Sequence, residues 1–128
     1  MTSSKENSKK TKILICIGCV FLIFMAFFHG SGIFYITDLI QQSNTESFLK
    51  EIIPVLFAHP SIHLLGLAVL WIVTLYMGRD AIKTMFTFAV LVCIDALIAF
   101  YLGAIIPGIL LLVPATSFVF GGIQKKVQ

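Results

Sequence analysis

Residues 84–124 read TMFTFAVLVCIDALIAFYLGAIIPGILLLVPATSFVFGGIQ, and between Lys83 and Lys125 the only formally charged side chain is Asp95. About 20 mostly apolar residues cross the hydrocarbon core of a bilayer as a helix, and this stretch is roughly twice as long. It therefore holds two spans. Gly103–Gly108 divides them, with Pro107 suited to the first turn of the second. Working outward, residues 13–37 and 52–78 contain no Asp, Glu, Lys or Arg, and each holds one further span.

The composition leads the same way. Charged residues make up 12% of the chain and hydrophobic residues 59%, with a mean hydropathy of +1.02. A soluble domain carries roughly a quarter of its residues as charges and has too little interior to hide this much apolar surface. Lipid removes that problem. The net charge of +3 is no nucleic-acid signal, because the basic residues cluster by connection. Lys5, Lys9, Lys10 and Lys12 precede the first span, Arg79 and Lys83 flank the turn between spans two and three, and Lys125 and Lys126 follow the fourth. Asp38–Glu51 holds three acids and one lysine. Basic residues on alternate connections predict both termini on the cytoplasmic side. The first span is expected to stay as an anchor, since no A-x-A-like cleavage site follows it.

The expected architecture is an all-α integral membrane four-helix bundle, with an additional interfacial helix in the first outer loop. Residues 1–12 read as a disordered tail, residues 13–124 as one membrane domain, and 125–128 as a second tail. Spans are expected at about 13–36, 60–77, 84–102 and 105–122. Pro54 and Pro60 argue against one helix across 46–77, so 46–58 is read as the interfacial or re-entrant helix. Ser43 and Glu46 have capping-box spacing, and Asp80 is a candidate cap for span three. Pro114 predicts a kink whose loosened backbone Thr116 and Ser117 can help satisfy.

Four residues carry the candidate chemistry. Asp95 lies roughly 4 Å outward of the middle of span three by helical rise. An ionisable group at that depth costs on the order of 2.5–3.5 kcal/mol and marks a functional site by default. It is expected to hydrogen-bond a neighbouring helix, to pair with a histidine in a ligand, quinone or metal site, or to relay protons. His63 falls roughly 8 Å outward of the middle of span two, within one turn of Asp95 on an antiparallel helix. Pairing the two would lower the cost of burying both. His59 and His63 share a helix face if one helix contains both. His29, at the outer end of span one, could join them in a His29–His59–His63 cluster able to hold zinc or iron. Histidines are equally at home at a headgroup boundary as amphipathic residues. Cys16, Cys19 and Cys93 read as small packing residues, since lipid-buried thiols lack a thiolate-stabilising setting.

His29–Gly30 closing the first span, on a four-span plan with an elaborated first outer loop, resembles the small DoxX-like membrane proteins. The lysine that commonly follows in that family is absent, and span two lacks the family's acidic residue. Some members are tied to quinone-linked sulfur oxidation, an activity not carried over to these residues.

The leading expectation is a non-enzymatic protein of a bacterial-type cytoplasmic membrane, an accessory subunit or small-ligand binder with a polar site in its outer half. Its partners would be the lipid bilayer and a membrane protein or a second copy of the chain, with no nucleic acid. No cofactor is assigned. The alternatives are a redox, haem or metal-site component using His59, His63, His29 and Asp95, and a proton-coupled transporter subunit centred on Asp95.

Overall fold

The computed structural model of the chain describes residues 2–78 and 80–126, and side chains within 8–78 and 80–125. The chain is all-α: α1 Thr2–Gln41, α2 Ser47–Val73, α3 Ala81–Tyr101 and α4 Ile105–Lys126. All four are long and apolar enough to cross a membrane, which makes this an integral membrane protein. Nothing but helix hydrogen-bonds its own backbone within one segment, which lipid requires.

Several expectations about helix ends change. The separate interfacial helix at 46–58 is absent, and Ser47–Val73 is one helix running through Pro54 and Pro60. Each proline removes one backbone bond, yet the turns between them are held against α1. A Cβ on Gly30 would come within 3.3 Å of Ser61 Oγ, and one on Gly32 within 3.2 Å of the Phe57 ring. Those two glycines let α2 lie close enough for packing to carry the helix past both prolines. α1 likewise runs without a break through Gly30–Gly32, beyond the expected span end near residue 36, to Gln41. At its other end α1 begins at Thr2, so most of the expected tail 1–12 is helical. Once a span nucleates a helix, each added residue gains a hydrogen bond for one more fixed backbone. The expected tail at 125–128 begins inside α4, and its last two residues, like Arg79, lie outside the described residues. Neither expected cap forms. Glu46 and Asp80 flank α2 and α3 without a side-chain cap bond, and the Ser43 hydroxyl donates to Ile40 O at 2.7 Å instead.

The helices pack in the order α2–α1–α4–α3, and α2 and α3 meet only sparsely, so that edge of the bundle is open. The core sits at the end carrying the two termini and the 74–80 turn. There Trp71 is fully buried, donates its indole N–H to Ile15 O at 2.9 Å and lies 3.7 Å from the Phe118 ring centroid. Any Cβ on Gly18 would strike Phe118, so only glycine fits there. Lys125 Nζ donates to Thr74 O at 3.0 Å and to Met77 O at 2.6 Å, satisfying carbonyls just past the end of α2.

Toward the opposite, far end the core stops. No residue of α1 beyond Ala26, of α2 before Leu64, of α3 beyond Ala96 or of α4 before Gly108 is buried among those described.

Candidate polar site at the far end of the bundle

The top of the core is where the candidate residues gather. Helical rise and the antiparallel run of α2 and α3 bring His63 and Asp95 level, and the structure places His63 Nε2 3.3 Å from Asp95 Oδ2. The contact bridges the open α2–α3 edge. Both side chains remain partly exposed, His63 at 36% and Asp95 at 26%. The separation is that of an ion pair, but the imidazole N–H is poorly aligned. Oδ2 is enclosed and has no hydrogen-bond partner among the described residues. An enclosed oxygen without a donor costs about 1–3 kcal/mol.

Gly66 lies on the next turn of α2, three residues past His63. It is exposed, and a Cβ built there meets nothing within 4 Å. Glycine inside a helix costs about 1 kcal/mol relative to alanine, and here no neighbour in the chain requires it.

His29 is not part of that pair. Its Nδ1 lies 3.2 Å from Ser61 Oγ, and its ring stacks on Phe57 with centroids 4.5 Å apart and planes at 20°. Ser61 and His63, two residues apart, thus point to opposite flanks of α2, one toward α1 and one toward α3. Beside His29 is a recess of about 310 Å³ lined by Met25, Phe28, Ser31, Gly32, Phe57 and Pro107. His59 is exposed on α2 and joins neither contact. The expected His29–His59–His63 cluster is therefore not assembled, and no three of His, Cys, Asp or Glu among the described residues gather as metal ligands. The reason is rotational: Pro60 leaves α2 unbroken, but His29 faces Ser61 rather than His59 or His63.

Ser61 had no signal of its own in the sequence. Its position opposite His29 follows only when the α1–α2 hairpin is laid out at matched depth. The cysteines are dispersed: Cys19 is buried with Sγ 3.6 Å from Ala68 O, Cys16 is exposed, and Cys93 is intermediate.

No protein-family model matches this chain, and no curated protein or solved structure matches it either. The likeness to DoxX-like proteins thus rests on the four-helix plan and His29–Gly30 alone.

Proposed function

We propose that this protein is a non-enzymatic assembly component of its membrane, joining a second copy of itself along the α2–α3 edge. The observation that carries the reading is the partly exposed His63–Asp95 pair at 3.3 Å on the one open edge of the bundle. Facing lipid, such a pair is costly. Covered by a partner helix, the exposed parts of the two side chains gain polar neighbours in place of hydrocarbon.

A second copy suits this surface because it carries a donor group and an acceptor group side by side. About a twofold axis, His63 of each chain faces Asp95 of the other, as an isologous interface requires. Gly66 supports the reading, since small residues let helix backbones approach closely in lipid. The basic residues on alternate connections support a far end that faces away from the cytoplasm.

Light scattering of the protein in mild detergent tests the assembly. The protein component should have twice the chain mass, and His63→Leu should shift it toward one. A wild-type protein that is monomeric at all concentrations overturns the proposal.

A further inference from the structure

The His29–Gly30–Ser31–Gly32 sequence is not used by the His63–Asp95 pair, yet it builds a site of its own. Gly30 and Gly32 seat Ser61 and Phe57 against α1, and those two side chains fix the His29 ring by a 3.2 Å contact and by stacking. The Ser61 hydroxyl has no other hydrogen-bond partner among the described residues. With the Ser61 hydroxyl donating to Nδ1, Nε2 is the protonated nitrogen of the neutral ring and is left to donate elsewhere.

The recess of about 310 Å³ beside this ring is otherwise without a donor. Met25, Phe28, Gly32, Phe57 and Pro107 offer apolar surface, and the Ser31 hydroxyl donates to Phe28 O at 2.7 Å on its own helix. The recess opens to the surroundings of the bundle, since Phe28 is 51% exposed. It also sits at a defined depth. From Ile13, just past the last lysine before the span, to His29 is a rise of about 24 Å in a hydrocarbon core of about 30 Å. His29 is thus close to the boundary where acyl chains meet their ester linkages.

We infer that this recess holds one acyl chain of a bilayer lipid, whose ester carbonyl accepts a hydrogen bond from His29 Nε2. An apolar recess whose lining includes one imidazole matches an acyl chain that carries an ester carbonyl at its head. A carboxylate or phosphate is not matched, because no cation lines the recess. The site lies on the α1–α2 flank, away from the α2–α3 edge, and stands whether or not the chain self-associates.

Ester-linked and ether-linked phosphatidylcholines of equal chain length separate the carbonyl from everything else. The full chain, labelled with ¹⁵N-histidine, is placed in bilayer discs of each lipid, and the His29 signal is assigned by its loss in His29→Gln. The Nε2–H resonance should be exchange-protected and shifted in the ester bilayer and not in the ether bilayer. In native mass spectrometry from an equal mixture, the wild type should retain the ester lipid about three- to tenfold over the ether lipid, the range of one added hydrogen bond. His29→Gln should retain both equally. An identical His29 resonance in both bilayers, retention without preference by the wild type, or a preference unchanged in His29→Gln overturns the inference. Where His29→Gln misfolds, the His29 resonance is assigned as the one that persists in both His59→Gln and His63→Gln, and its comparison between the two bilayers decides the matter.

Discussion

His63 on α2 and Asp95 on α3 stand 3.3 Å apart across the one edge of the bundle that packing leaves open, and neither is fully covered. Elsewhere the helices close around Trp71, Phe118 and Met85, which are buried. A polar pair placed where apolar packing ends is positioned for contact with something outside the chain.

Asp95→Asn should unfold at nearly the wild-type temperature in mild detergent, whereas Asp95→Leu should lose about 1–3 kcal/mol. An amide keeps a polar group beside His63, whereas leucine leaves the imidazole against apolar surface without its 3.3 Å partner. Thermal unfolding followed by circular dichroism checks this. Equal stability of the two variants would show that the 3.3 Å contact contributes nothing.

Gly18→Ala should cost about 1–3 kcal/mol, because the added methyl collides with the Phe118 ring beside Trp71. Gly66→Ala should leave the monomer unharmed or more stable by up to about 1 kcal/mol. If the proposed dimer exists, Gly66→Ala should weaken it. Unfolding and light scattering on the same two variants separate the internal glycine from the external one.

Trp71→Phe should cost about 1 kcal/mol by removing the indole bond to Ile15 O. Trp71 is the only tryptophan, and it is fully buried. Its emission should be blue-shifted and resistant to aqueous quenchers until the core unfolds. Emission typical of water in the folded protein would contradict the placement of the core.

Cysteines introduced at Ser43 and Gly78, in a chain lacking its native cysteines, should be labelled from opposite sides of the membrane. Ser43 lies in the α1–α2 connection, and Gly78 lies between α2 and α3. Labelling of both from one side would rule out four spans.

Much of this was readable from the chain itself. The run from Lys83 to Lys125 with Asp95 as its only charge fixes two spans, and two further uncharged stretches complete four. The shared depth of His63 and Asp95 follows from helical rise alone. What could not be read is rotational and packing-dependent. Pro54 and Pro60 signal a break locally, and their tolerance depends on glycines 22 to 30 residues away in α1. The order α2–α1–α4–α3 depends on fits such as Gly18 against Phe118, which no periodicity expresses. His29 was legible as polar and well placed, but its partner Ser61 is one of many serines. Only the close approach at Gly30 singles it out.

The most direct test of the proposed assembly is cross-linking through the α2 face in the native membrane. Gly66→Cys is introduced into a chain whose Cys16, Cys19 and Cys93 are alanine, and treated with a lipid-soluble oxidant. Val20→Cys, exposed on α1, serves as the control. A second copy on the α2–α3 edge predicts a disulfide-linked species of twice the chain mass for Gly66→Cys, reduced when His63→Leu is added. Cross-linking at Gly66→Cys no greater than at Val20→Cys would contradict it.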